Sequence, residues 1–170
     1  MKPDGRIEMP SVPRRKDRML SHDEAVALLD AADYGVLTTV GPDGTPYGVP
    51  LNYVRDGDTL ILHGALEGRK ADNIRNDNRV SFCVVGRSEP VWEKFTTRYA
   101  SVVLAGRAEW VEEAGRKSNL LMKLCARFAP ADQPGSAEAA KKYIDKYLDR
   151  TGVLLLRIET ISGKANRLDS

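Results

Sequence analysis

The sequence predicts a small antiparallel β-barrel with added helices, and three observations carry this prediction. The chain has 170 residues, which is enough for one domain with its own apolar core. About six runs show the two-residue alternation or the β-branched content of strands, and tight turns join several of them. Helical patterns interrupt the strands without the regular alternation of a parallel sheet. A small antiparallel sheet with one apolar face buries that face by closing into a barrel.

The composition excludes several classes of protein. Lysine plus arginine number 26 against 24 for aspartate plus glutamate, so the net charge of +2 gives no electrostatic reason to bind nucleic acid. No apolar run approaches the ~20 residues of a membrane span, and no secretory signal is recognisable. Two separated cysteines and two separated histidines suggest neither a disulfide framework nor a metal site. We therefore expect a cytoplasmic protein with free thiols, no metal, and no nucleic-acid or membrane partner.

The chain begins with a segment that has no apolar periodicity. Residues 1–19 contain three prolines, so we predict an extended arm followed by one domain over residues 20–170. The densest basic run of the chain, RRKDR at residues 14–18, lies in this arm. It is either a solvated leader or a strap that lies against an anionic ligand or a partner subunit.

The first half of the chain predicts one helix and three strands. The helix is predicted over residues 21–32, and the strands over 36–40, 46–54 and 59–64. Ser21 and Glu24 have the spacing of a capping box, and apolar residues at helical spacing follow them. The sequences GPDG and DGD between the strands are typical of turns. Because Pro46 and Pro50 cannot donate to a ladder, the second strand should lie at an edge or be interrupted there.

The second half predicts three more helices and three more strands. A short helix is predicted over 67–76, strands over 79–85 and 99–111, helical faces over 121–128 and 140–147, and a last strand over 153–158 before a polar tail. Apolar residues alternate along the longest strand, and Gly106 within it predicts the bend that a small barrel needs. We expect Trp92 and Trp110 to pack, and Cys83 and Cys125 to act as small buried apolar residues.

The segment HGALEGRK, residues 63–70, is the strongest candidate for a binding site. Small residues follow a strand, and Arg69 and Lys70 then stand at the start of a short helix. Free backbone N–H groups and the helix dipole favour an anion there, and the two cations would add charge-assisted bonds. The alternative is a plain turn with exposed cations. A second polar patch, FTTRYAS at residues 95–101, is either a further site or an exposed loop.

Four motifs in order, VPLNYV, HGALEGRKADNI, FTTRYASV and ISGKANR, make the sequence resemble a known family. It resembles the FMN-binding split-barrel superfamily named after pyridoxamine 5′-phosphate oxidase, and within it the nitroimidazole-resistance branch. The resemblance covers residues 14–167. It implies a six-stranded antiparallel Greek-key split barrel that forms a homodimer, with one FMN in each of two clefts shared between the subunits.

The resemblance also implies which residues hold the FMN. Val49, Pro50, Leu51 and Asn52 match the segment that lines the isoalloxazine ring; His63, Gly64 and Ala65 match the strand end beside the ribityl chain; Arg69 and Lys70 match the phosphate-binding cations; Thr96 and Thr97 match nearby hydroxyl contacts. His63 is the one residue of this set that can exchange a proton near neutral pH. It is either an acid, base or substrate contact, or a neutral side chain that packs on the cofactor.

The resemblance implies an FMN-dependent oxidoreductase that reduces nitroaromatic or similar electron-poor substrates. The flavin supplies the redox chemistry in such proteins, so few catalytic side chains are expected. The tail GKANRL at residues 163–168 lacks the histidine of pyridoxamine phosphate oxidases, and vitamin B6 oxidation is therefore not expected. The alternatives are a flavin carrier or sensing module without enzymatic activity, and a split barrel that uses deazaflavin or haem.

Overall fold

A closed barrel of six antiparallel strands forms the centre of the structure, a computed structural model that describes residues 15–129 and 134–167. The strands are β1 Tyr34–Val40, β2 Pro46–Asp56, β3 Thr59–Ala65, β4 Arg79–Val91, β5 Thr96–Trp110 and β6 Thr151–Asn166. The α-helices of the described ranges are α1 His22–Ala31, α2 Arg69–Asn76, α3 Ala114–Phe128 and α4 Ser136–Tyr147. The strand order is β1-β2-β3-β6-β5-β4, and β4 closes on β1 as in a Greek key. The predicted fold class is confirmed.

The barrel interior is filled by alternate residues of all six strands, with α1 packed against them. The predicted capping box starts this helix: Ser21 Oγ accepts from the Glu24 N–H at 3.2 Å, and the Glu24 carboxylate accepts from the Ser21 N–H at 2.8 Å. Ala25 and Leu29 of α1 belong to the barrel core. The hydroxyl of Tyr53 on β2 donates to the carbonyl of Leu29 at 2.5 Å, which fixes the helix to the barrel.

The bend predicted at Gly106 is confirmed. The register between β5 and β6 shifts between Ala105 and Gly106. A Cβ built on Gly106 would lie 1.9 Å from the carbonyl oxygen of Arg157, so the two backbones approach closely only because glycine has no side chain. Trp110 packs against the barrel core, as the sequence predicts.

Three strands extend beyond their predicted limits, because polar segments continue the backbone ladder past the core. β4 continues to Val91 and β5 begins at Thr96, so residues 96–101 lie in a strand and the interpretation as an exposed loop is wrong. β6 continues to Asn166, so the segment predicted as a polar tail is also a strand. Hydrogen bonding to a neighbouring strand stabilises these extensions without requiring apolar alternation in the sequence.

A second apolar cluster lies between α3, α4 and the outer face of β3 and β6. Its buried members are Ile61, Val111, Leu121, Leu124, Ile144, Val153 and Leu155. The predicted apolar faces of the two helices are therefore confirmed in part. Phe128 and Tyr143 share those faces but remain 42% and 67% exposed, because they lie at the opening between the two helices and not at their contact with the barrel.

The packing predicted for Trp92 is wrong. Its side chain is 77% exposed, in a single turn of 3-10 helix at the tip of the β4–β5 hairpin. The hairpin reaches past the barrel, so no core surrounds its tip, and Phe95 beside it is exposed as well. Cys83 and Cys125 are free thiols that are half-buried rather than fully buried.

Most of the predicted N-terminal arm lies outside the described residues. Within the described part, Lys16–Arg18 forms one turn of 3-10 helix and Met19 pairs with Lys164 of β6. Among the described helices none has the length and apolarity needed to cross a bilayer. The described side chains also contain no group of three or more histidine, cysteine or acidic residues that could hold a metal.

Candidate functional site

A cleft opens where β2 and β3 separate. The two strands pair only from Tyr53↔Leu62 to Asp56↔Thr59, next to their connecting turn. Beyond Tyr53, residues 46–52 of β2 pair with β1 alone, and residues 63–65 of β3 pair with β6 alone. The backbone groups of these segments that face the gap lack a strand partner. β2 itself is not interrupted at its prolines. The predicted edge position is confirmed, because Pro46 and Pro50 both lie in the half that pairs with β1 alone.

The two walls of this cleft hold seven of the residues that the resemblance implies for the cofactor. They are Val49, Pro50, Leu51 and Asn52 on β2, and His63, Gly64 and Ala65 on β3. Pro50 and Asn52 are exposed, whereas Val49 and Leu51 pack partly against the barrel core. The Asn52 side-chain amide donates to the carbonyl of Asp33 at 2.9 Å, which holds it at the β1 side of the strand.

Helix α2 begins at the mouth of the cleft, and its first two residues lean to opposite walls. The Lys70 ammonium lies over β3, where a Cβ on Gly64 would be 2.3 Å from its nitrogen. The Arg69 guanidinium lies over the ring of Tyr47 on β2, 4.7 Å from its centroid. The helix is preceded by Gly68, whose φ of 95° favours glycine, and no side chain caps its N-terminus. Two cations and a free helix N-terminus thus face the gap between β2 and β3.

Lys70 has the electrostatic character of an anion-binding residue. Its side chain is half-buried, and it forms no ion pair or hydrogen bond with a side chain of the described residues. Burial lowers the pKa of Lys70 from its ordinary value, because the charged form loses hydration without gaining a carboxylate. An anion bound beside Lys70 would stabilise the charged ammonium and so offset the loss of hydration caused by burial.

His63 lies next to this cation. Burial lowers the pKa of His63, and the charge of Lys70 lowers it further, so the imidazole is neutral at neutral pH. The residue as a whole is exposed, and it also lines the space between β3, α3 and α4. A neutral imidazole offers one donor and one acceptor to a bound molecule.

Two interactions that the sequence did not reveal hold α2 in place. The buried Asn73 amide donates to Thr39 Oγ1 of β1 at 2.9 Å, and that hydroxyl donates to the carbonyl of Tyr47 at 3.3 Å. Arg75 donates to the carbonyl of Leu66 at 2.6 Å and fixes the turn before the helix. Asn73 and Thr39 are 34 residues apart, so no local pattern links them.

Thr96 and Thr97 lie far from the other predicted residues. β6 pairs with Ala65 at Thr151, its first residue, and with Tyr99 at Asn166, its last. At about 3.3 Å per residue the intervening strand is about 50 Å long, measured along its curved path around the barrel. The structure therefore brings His63, Gly64 and Ala65 together with Lys70 and Arg69, and leaves the two threonines at the opposite end of the chain's fold.

A second cavity lies beside those threonines, lined by residues that follow them on β5 and by the end of β6. The buried amide of Asn166 donates to Thr96 Oγ1 at 3.2 Å and to the Thr97 carbonyl at 2.6 Å. Arg98 pairs with Glu89 at 3.1 Å and lines a cavity of about 430 Å³ with Tyr99 and Asn166. Asn166 was not predicted as a site residue, although it lies in the motif ISGKANR.

The comparison with protein families identifies the fold's relatives. The family model described as pyridoxamine 5′-phosphate oxidase matches residues 21–165, which include the whole β2–β3 cleft and most of the second cavity. The chain belongs to the pyridoxamine 5′-phosphate oxidase family. The resemblance to this family predicted from the sequence is thereby confirmed. None of the curated proteins compared with the chain matches it significantly.

Solved structures related to this pyridoxamine 5′-phosphate oxidase family member share its fold. A candidate 5-nitroimidazole antibiotic resistance protein from Bacteroides thetaiotaomicron is 21% identical with a TM-score of 0.70; the match covers 86% of this chain and 85% of the other. The flavocytochrome Anf3 from Azotobacter vinelandii is 22% identical with a TM-score of 0.70, covering 94% and 75%. An FAD-binding protein from Mesorhizobium loti is 26% identical with a TM-score of 0.60, covering 88% and 98%.

Proposed function

We propose that the protein is an FMN-dependent oxidoreductase that reduces small electron-poor aromatic compounds such as nitroaromatics. The observation that carries the proposal is the half-buried Lys70 ammonium, which has no carboxylate partner among the described residues and faces the β2–β3 cleft. A phosphate is the anion that fits this position, because a helix N-terminus and Arg69 contribute to the same mouth.

The residues of the cleft fit a flavin nucleotide. Lys70, Arg69 and the first N–H groups of α2 would hold the phosphate, and the unpaired β2 backbone at residues 49–52 would line the ring. When bound, the flavin would accept electrons from a donor and pass them to the substrate. Gly64 leaves room for Lys70 at the cleft wall, and His63, neutral at neutral pH, would donate or accept a hydrogen bond with the substrate.

The substrate class rests on similarity rather than on a side chain. A candidate 5-nitroimidazole antibiotic resistance protein has the same fold at a TM-score of 0.70. Nitro groups are strong electron acceptors and need no covalent catalysis by the protein, which agrees with the small number of ionisable side chains in the cleft. The related structures of an FAD-binding protein and of a flavocytochrome support a redox role, and the choice of FMN is tested by the experiment below.

We also propose that the protein is a homodimer in which each flavin lies between subunits. The separation of Thr96 and Thr97 from Lys70 along β6 supports this, since a second copy would bring both groups to one cofactor. The outer face of the barrel supports it as well. Val36, Cys83 and Val103 form an outward row across β1, β4 and β5, with exposed Val85 beside it. A contiguous apolar strip of this kind is typical of an interface.

The decisive experiment follows the absorbance of the flavin. Purified protein mixed with FMN should retain a yellow chromophore through gel filtration, and after anaerobic reduction with dithionite a nitroaromatic should restore the oxidised spectrum. If the flavin binds but stays reduced after the nitroaromatic is added, the protein is a flavin carrier and the proposed oxidoreductase activity is wrong. If the protein does not bind FMN but binds haem or deazaflavin, the proposed cofactor is wrong. Light scattering tests the dimer separately, because a flavin-loaded monomer would contradict it.

A further inference from the structure

A cavity of about 460 Å³ lies between α3, α4 and the outer face of the barrel, apart from the cofactor cleft. Its walls are mainly aliphatic and aromatic side chains, among them Leu124, Ile144, Phe128, Tyr143 and Tyr147. Phe128 and Tyr143 are exposed although they are large and apolar, so the cavity opens to solvent between the helices. Its volume falls within the range of pockets that bind small molecules, about 300–1,000 Å³.

The aromatic side chains give this cavity the shape of a site for a planar ring. The rings of Tyr143 and Tyr147 lie 4.6 Å apart between centroids at an interplanar angle of 54°. Phe128 lines the same space from α3. Planar ligands gain offset and edge-to-face contacts with such a group, in addition to the burial of apolar area.

The charge at the cavity is positive. Arg150 lines it, with its guanidinium 4.9 Å from the centroid of the Tyr147 ring. The Lys146 ammonium lies 5.1 Å from the same ring. No acidic side chain lines the cavity, and Arg150 pairs with no carboxylate of the described chain. The molecule that complements this lining is apolar at one end and carries one negative charge at the other.

One residue joins this cavity to the cofactor cleft. His63 lines the cavity. Gly64, the next residue of β3, contacts the Lys70 ammonium on the other side of the strand. The imidazole therefore stands at the wall between an apolar pocket and the anion site.

We propose that this cavity binds aromatic monocarboxylates, with the ring among Phe128, Tyr143 and Tyr147 and the carboxylate at Arg150. The proposal that the cavity binds these acids depends only on the residues that line it. That these acids are substrates rests on the proposed function, since the reaction needs a flavin on the far side of His63.

The test compares an acid with neutral analogues of the same ring. Calorimetric titration of the full chain without flavin should show binding of 4-nitrobenzoate and of benzoate, and weaker binding of nitrobenzene. Arg150→Gln should weaken the two acids about tenfold and leave nitrobenzene unchanged, because one charge-assisted bond is lost. Lys142→Gln is the matched control, because it removes an exposed cation of α4 that does not line the cavity.

Two further variants test the position of the ring. Tyr143→Ala removes an exposed aromatic without opening the core and should weaken acids and nitrobenzene alike, about two- to tenfold. Cys125→Trp fills the cavity and should abolish binding of all three compounds.

The inference is overturned by any of four results. The first two are no binding of either acid, and equal losses for acid and neutral compound in Arg150→Gln. The third is a monomer mass in Cys125→Trp where the parent is a dimer, which would make the cavity a subunit contact. The fourth is a Soret band with haem that displaces the acids, which would make it a haem pocket. Because the titrations use flavin-free protein, they can succeed even where reduced FMN fails to reduce a nitroaromatic.

Discussion

The ammonium of Lys70 occupies the space in which Gly64 would otherwise carry a side chain. A Cβ on Gly64 would lie 2.3 Å from the Lys70 nitrogen, closer than any non-bonded contact allows. The backbone of Gly64 has no unusual φ, so the glycine makes room for the Lys70 side chain and relieves no strain in the strand. The pair couples the wall of the β2–β3 cleft to the first turn of α2.

Gly64→Ala should therefore act on the ligand more than on the fold. The added methyl group displaces only the flexible end of Lys70, so we expect the free energy of unfolding to change by less than about 1 kcal/mol. FMN affinity should fall about tenfold, because the ammonium leaves its position, while riboflavin affinity changes less. Urea unfolding and fluorescence titration measure the two effects. A large loss of stability with unchanged FMN affinity would contradict the assignment.

Lys70→Ala and Arg69→Ala should differ in how strongly they weaken FMN binding. Lys70 is half-buried without a partner, so its removal should weaken FMN about 10- to 100-fold. Arg69 is exposed and stacked on Tyr47, so its removal should weaken FMN binding less than the removal of Lys70 does. The effect of removing Arg69 should become smaller still at high salt, because salt screens exposed charges.

Riboflavin, which lacks the phosphate, separates a lost phosphate contact from general damage. It should bind both variants almost as it binds the parent protein, and Arg116→Ala on α3 is the control for loss of an exposed arginine. Equal losses for FMN and riboflavin would place the phosphate elsewhere, for example at Arg98 and Thr97.

Asn73→Ala should destabilise the protein by about 1–3 kcal/mol, because it removes the buried amide that donates to Thr39 Oγ1 and leaves that hydroxyl only its bond to the Tyr47 carbonyl. Thr39→Val removes the other half of the same bond. Denaturant unfolding of the single and double variants should show that the two losses do not add. Strict additivity would mean that the bond does not fix α2 to β1.

His63 should respond to an anion at Lys70. Burial and the Lys70 charge lower its pKa from the ordinary value of 6.5, so the unfolded chain takes up the proton first and stability is lost as the pH falls from about 6.5 to the folded pKa. Inorganic phosphate or Lys70→Met should raise the pKa of His63, because each removes the effect of the positive charge. Titration of the imidazole by NMR, assigned with His22→Gln, measures this. A pKa unchanged by both would separate His63 from the anion site.

Local patterns in the sequence were sufficient for much of the fold. The capping box of Ser21 and Glu24, the alternation in β5 and the bend at Gly106 depend on residues close in the chain, and each is present in the structure. The anion-site hypothesis for Arg69 and Lys70 also arose locally, from small residues and cations at a helix start. What the pattern left open was the choice between that site and an exposed turn.

The tertiary structure decided how these parts combine. The separation of β2 from β3 at Tyr53, the Asn73–Thr39 bond and the half-burial of Lys70 depend on strands and helices distant in the sequence. The extension of β6 to Asn166, which puts Thr96 at the far end of the fold, follows from pairing with β5 and not from apolar residues. Hydrophobic periodicity specifies which face of an element is buried, whereas backbone pairing and long-range contacts fix register and neighbours. Only the latter could create the cleft and the cavity between α3 and α4.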